Sequence, residues 1–181
     1  MLALKNIVRL FIFLLLFISC ENDIKVINIV GNKEHLPVES AKNVETIYSD
    51  SAQIQMILKT PQYERYDGEK PYTEMTKGIS AYFYDINMQV KSKLTANYAI
   101  NYEKDKIMEA RNNVVVVNEK NEQLNTEKLV WDQQKAIIYS DKYVKINTGK
   151  EILWGIGMES DERFEKWHIK NVQGSFSMEE E

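Results

Sequence analysis

The chain has 181 residues, 44% hydrophobic and 28% charged, with a formal net charge of -4, seven Gly, three Pro, two His and a single Cys. One cysteine makes no internal disulfide, two histidines beside it build no Cys/His zinc cluster, and scattered glycines form no phosphate-cradling loop, so the expectation is no metal and no cofactor. An acidic balance without a basic stripe argues against nucleic acid as a partner, and the length suits one domain.

Lys5 and Arg9 precede an uncharged run, Leu10 to Ser19, that stops at Cys20. A membrane-spanning helix needs about 20 apolar residues and this run supplies half of that, so residues 1–19 read as a secretory signal. Phe17-Ile18-Ser19 before Cys20 resembles a bacterial lipobox, which implies that residues 1–19 are a lipoprotein signal peptide and that Cys20 is lipidated as the first mature residue. An ordinary signal peptide or a retained anchor is the alternative. Loss of Lys5 and Arg9 leaves 21 basic against 27 acidic side chains.

Residues 20–45 read as a lipidated tether with an apolar patch at Ile24, Val26, Ile27, Ile29 and Val30, and residues 46–178 as the folded domain. Its composition is that of a β protein: 19 Ile, 13 Val, seven Thr and ten Tyr suit pleated surfaces. From Ser51, the alternation of Ala52, Ile54, Met56 and Leu58 with polar neighbours marks a half-buried strand that Thr60-Pro61 should end. The stretch from Tyr63 to Tyr72, with Gly68 and Pro71, then reads as a loop or hairpin connection.

Ile79, Ala81 and Phe83 alternate next. After a turn at Asp85-Ile86-Asn87, Leu94, Ala96, Tyr98 and Ile100 are expected to share a face. Glu103 to Lys106 and Arg111-Asn112-Asn113 read as turns, with Val114 to Val117 a buried strand. Apolar positions then repeat at an offset of 30, Leu94 with Leu124, Ile107 with Ile137, Val114 with Val144 and Val116 with Ile146. Repeated antiparallel hairpin units are the simplest architecture. Residues 179–181 are an acidic tail.

Three blocks carry a family resemblance. Leu94-Thr95-Ala96 followed by Tyr98-Ala99, Leu129-Val130-Trp131-Asp132, and Gly155-Ile156-Gly157-Met158 leading to Phe164, Trp167 and Gly174 resemble, in that order, the lipopolysaccharide-export protein family LptC, related to the LptA/OstA-like β-jelly rolls. The resemblance covers roughly Ser51 to Phe176. It implies an all-β, open, twisted jelly roll that takes lipopolysaccharide from the inner-membrane LptB/LptF/LptG ABC transporter and passes it to an LptA-like periplasmic bridge protein. It also implies a membrane-anchored protein on the periplasmic side of the inner membrane. Family members commonly keep an uncleaved N-terminal helix, where this chain has a lipobox-like stop.

Lipid with several acyl chains costs about 0.8 kcal/mol per CH₂ exposed to water, so a carrier needs a continuous apolar groove. The expected lining is Ile54, Met56, Leu58, Phe83, Leu94, Ala96, Tyr98, Val114, Val116, Leu129, Trp131, Val144, Ile146, Ile156, Met158, Trp167, Ile169 and Phe176. For each singly, ordinary sandwich core is the competing reading. Lys142 and Lys145 are available at a rim, and the last strand, through Ile169 and Val172, is the expected partner edge.

Two other classes compete. A carboxylate hydrolase could pair Asp132 with Asp141 or Glu127, although acids alternating with apolar residues usually form a solvated face. With Trp167 and Ile169 pointing inward, His168 between them should face solvent, a poor placement for a triad member beside Ser160 or Ser175. A structural or assembly lipoprotein of the envelope with no lipid ligand is the other.

Overall fold

A computed structural model describes residues 36–177, all strand, turn and loop. The signal segment, Cys20, most of the tether and the acidic tail lie outside the described residues. The strands are β1 (Glu39–Asp50), β2 (Gln53–Tyr66), β3 (Tyr72–Met75), β4 (Ile79–Tyr84), β5 (Val90–Ala96), β6 (Tyr98–Tyr102), β7 (Ile107–Asn118), β8 (Gln123–Asp132), β9 (Ile137–Asn147), β10 (Glu151–Asp161) and β11 (Trp167–Ser177).

All join one antiparallel sheet in the order β11-β10-β9-β8-β7-β5-β4-β2-β3-β6, with β1 on β2 and β6 returning to β7. Two long strands are therefore bridged twice. Met56–Lys59 of β2 reach Val115–Asn118 of β7 through β4 and β5, and Glu64–Tyr66 reach Ile107–Arg111 through β3 and β6. The sheet folds over and encloses one apolar layer, in which Met56, Leu58, Leu129, Ile138, Val144, Ile146 and Met158 are almost fully buried.

The fold is made along a line of bulges. An extra residue between Arg111 and Val114 of β7, opposite Thr126–Lys128 of β8, and another between Tyr139 and Val144 of β9, opposite Thr126–Val130 of β8 and Ile156–Met158 of β10, lie side by side across four strands. Asn112, Asn113 and Gly157 take positive φ there. A bulge frees backbone groups from the ladder and bends the strand. Buried hydroxyls take their place: Thr126 Oγ1 donates to the Tyr143 carbonyl at 2.8 Å, and Ser140 Oγ donates to the Lys128 carbonyl at 2.7 Å while accepting the Lys142 N–H at 3.1 Å.

Several sequence expectations change at local irregularities. Strand β1 occupies residues 39–45, assigned above to the tether, because the Ser51-Ala52 turn with both φ positive folds it back onto β2, Glu39 facing Arg65. Pro61 does not end β2. Its position has no ladder partner, Lys42 pairing Gln62 and Val44 pairing Thr60, and it falls where β2 passes from β4 to β3, so no N–H is required. Tyr63–Tyr66 consequently belong to β2 and not to a loop, and Arg111-Asn112-Asn113 is a bulge inside β7 and not a turn.

Candidate functional site

The inner face of the folded sheet is the largest apolar feature among the described residues. Eleven expected lining residues, Met56, Leu58, Phe83, Leu94, Ala96, Val114, Val116, Leu129, Val144, Ile146 and Met158, share one buried cluster, with Trp131, Trp167 and Ile169 packed against it. The alternation that placed them inside is the one a pleated strand imposes.

Four residues of that expected lining fall elsewhere. Tyr98 points outward and donates to Glu74 at 2.7 Å, because Asn97 is an extra residue between β5 and β6 and the inward position passes to Ala99, which is wholly buried. Burial, reinforced by that carboxylate bond, raises the Tyr98 phenol well above its usual pKa. Ile156 is 38% exposed because the inward position before Gly157, which faces the β9 bulge, is Gly155, opposite Val144. Phe176 is 62% exposed on the last strand, and Ile54 is half-buried outside the core cluster. Ile100 leaves the Leu94 face with Tyr98.

Sequence reasoning missed Met75, Ala99, Met108, Ala110, Ile138 and Phe164 in this interior. The offset of 30 could have flagged two of them: Met108 and Ala110 stand where Ile138 and the buried Ser140 stand one unit later.

This interior is filled. The void bounded by Met56, Leu58, Phe83, Leu94, Leu129 and Trp131 is about 30 Å³, and a second, bounded by Val116, Leu124, Met158, Phe164 and Trp167, is about 10 Å³. Neither is much larger than a water molecule needs. Outside, a cleft of about 710 Å³ lies against Tyr48, Gln55, Lys106, Trp131, Glu162 and Arg163. The Tyr48 ring meets Trp131 edge-on at 5.7 Å, and burial pushes its phenol up to about 12.

Two borders of the sheet carry one neighbour each among the described residues. β1 pairs only with β2 and β11 only with β10. On β11, Ile169 packs against the core while Val172 is 60% exposed. Beside Gly174 the Trp154 indole lies so close that a Cβ would stand 2.4 Å from it.

Two of the three carboxylates of the hydrolase reading are tied to cations, while Glu127 accepts, among the described residues, only the Asn113 N–H at 3.4 Å. Asp132 accepts from Lys135 at 2.7 Å and from the backbone of Gln134 and Lys135. Asp141 contacts Lys128 at 2.9 Å and Lys142 at 3.5 Å. The lysine bonds hold both carboxyls below their usual range, the opposite of the raised pKa a general acid needs. His168 pairs Glu159 on the outer face, whereas Ser160 is buried opposite Trp167. That arrangement makes no nucleophile and base.

The family model for lipopolysaccharide-assembly, LptC-related proteins matches residues 7–177. The chain belongs to the LptC family. No curated protein matches it. As an LptC-family member it is a lipopolysaccharide-transport component, associated with the Lpt transport complex on the periplasmic side of the inner membrane, and the family is non-enzymatic. The all-β folded sheet is the fold that the sequence resemblance implied.

Proposed function

We propose that this protein takes lipopolysaccharide from the inner-membrane LptB/LptF/LptG ABC transporter into its apolar interior and passes it to an LptA-like bridge protein seated on β11. One observation carries the reading: the apolar inner face lies within a single sheet whose two borders, β1 and β11, each have one strand neighbour among the described residues. A sheet border is a template for strand addition, so further folded sheets at these borders would lengthen one apolar path. The mature chain is acidic and lipid A is anionic, so recognition rests on acyl chains; Lys142 and Lys145 lie on β9 away from the mouth of the folded sheet.

Photocrosslinking from Ala96 and Met158 in cells tests the interior. Lipopolysaccharide adducts at both positions are expected, and adducts at neither, in folded protein, would leave the assembly lipoprotein without a lipid ligand as the better reading. Proline at Val172 should weaken capture by the bridge protein while leaving lipid adducts in place. Ile169 serves as the second position for the same test.

The anchor belongs to the same proposal. Lipidation at Cys20 would hold the domain at the membrane from which its cargo is drawn, two or more acyl chains giving stable attachment where one does not. Cys20→Ala should release the protein from the membrane fraction and change its intact mass. An unmodified chain starting at Met1 would overturn lipidation while leaving the lipid-path reading intact.

A further inference from the structure

The turn between β10 and β11 is Asp161-Glu162-Arg163-Phe164-Glu165-Lys166, an almost wholly charged hexapeptide with one aromatic residue in it. Charged turns ordinarily stand in water. Here the aromatic ring goes inward: Phe164 is 3% exposed, belongs to the core cluster and meets the Phe83 ring edge-on at 6.0 Å. Its backbone is strained, with φ at 56°, a region that bulky side chains avoid. Strain of this kind persists only where surrounding contacts impose it.

Those contacts are side-chain bonds reaching far along the sequence. Asn118 Nδ2 donates to the Phe164 carbonyl at 3.1 Å in a buried setting, and Trp131 Nε1 donates to Glu162 at 2.6 Å. Arg163 crosses to the Tyr84 carbonyl at 3.3 Å and to Gln55 Oε1 at 3.4 Å, fastening the last hairpin to β2 and the end of β4. Beyond its own hairpin, none of these bonds is a rung of the sheet, so the turn can leave without unpairing a strand.

Position completes the argument. Phe164 bounds the smaller interior void, Phe83 and Trp131 bound the larger, and Glu162 and Arg163 bound the outer cleft. The turn thus stands where solvent meets the apolar layer. Both voids are too small for an acyl chain, so the interior as described is a closed state.

We propose that residues 162–166 are the gate of the interior and that Phe164 is its stopper, the ring holding the first acyl-chain position until a chain displaces it. This inference rests on the lipid-path reading above and adds to it where lipid enters and what moves. A site whose competent state is a minor fraction binds weakly in proportion, so unfastening the turn should speed loading.

The test uses the full-length protein with purified lipopolysaccharide, following the rate at which lipid crosslinks to a photoreactive residue at Met158. Arg163→Ala removes two of the four long-range bonds without touching the core, and Phe164→Ala removes the stopper. Both should load faster than wild type, by about threefold to tenfold if the closed state dominates. Conversely, a bismaleimide joining cysteines placed at Gln55 and Arg163, in a Cys20→Ala background, should slow loading by a similar factor. Unchanged rates in Arg163→Ala and in the crosslinked form, while Leu94→Asp abolishes adducts, would overturn the gate and leave the lipid path standing. Absence of adducts in wild type as well would overturn both.

Discussion

The crease and the mouth of the folded sheet solve the same problem differently. At the crease the bulges of β7 and β9 free buried carbonyls, and Thr126 and Ser140 satisfy them from the next strand with bonds of 2.7 to 2.8 Å. At the mouth Asn118 and the Trp131 indole hold the β10–β11 turn from within, and Arg163 fastens its outer side through bonds of 3.3 and 3.4 Å to groups on β2 and after β4. Water reaches the mouth and can replace the Arg163 bonds, whereas nothing replaces the hydroxyls at the crease. A sheet built this way keeps its bend permanently and its closure conditionally.

The deepest break in the comparison comes from the layer both regions share. Leu129, 2% exposed and opposite the β9 bulge, should cost about 2–5 kcal/mol when replaced by Ala, seen as a lower urea midpoint with all probes shifting together. Ser140→Ala is the sharper test of the crease. It strands the Lys128 carbonyl and the Lys142 N–H, and about 1–3 kcal/mol of global stability should go with it. Arg163→Ala, by contrast, should cost about 1 kcal/mol or less, with faster amide exchange confined to residues 162–166. Equal global losses at Ser140 and Arg163 would erase the distinction.

The smallest expected effect is electrostatic. Asp85, held by the backbone N–H of Gln89, Asp132, held by Lys135, and Asp141, held by Lys128, all sit below the ordinary value of 3.8. Depressed carboxyls stabilise the fold above their unfolded pKa, and the contribution is lost as pH falls through the folded one. The melting temperature should therefore be level between about pH 8 and pH 5 and fall only below about pH 4. Screening by solvent keeps the drop shallow, and Asp141→Asn should remove part of it.

How much could be read from the chain follows from the same geometry. Alternation located Met56 with Leu58, Val114 with Val116 and Val144 with Ile146 because nothing interrupts those runs. It failed at Tyr98 and Ile156, each beside an irregularity, since one inserted residue inverts which face every later side chain takes. Strand β1 escaped notice because its turn is Ser51-Ala52, without the Asn-Gly or Asp-Gly that marks such hairpins. Phe164 was quoted as part of a family block yet not placed inside. Its burial depends on Asn118 and Phe83, and charged neighbours disguise it as surface.

The double bridge between β2 and β7 also bears on how the chain assembles. From β7 onward each strand pairs with the one before it, so that half can form by successive short hairpins. The N-terminal half cannot: β2 reaches β7 only after β4 and β5 have closed one arm and β3 and β6 the other. Closing the ring carries the larger loop entropy and the slower kinetics. Yet during synthesis the N-terminal strands emerge first, so they must wait in a partly paired state for a strand not yet made.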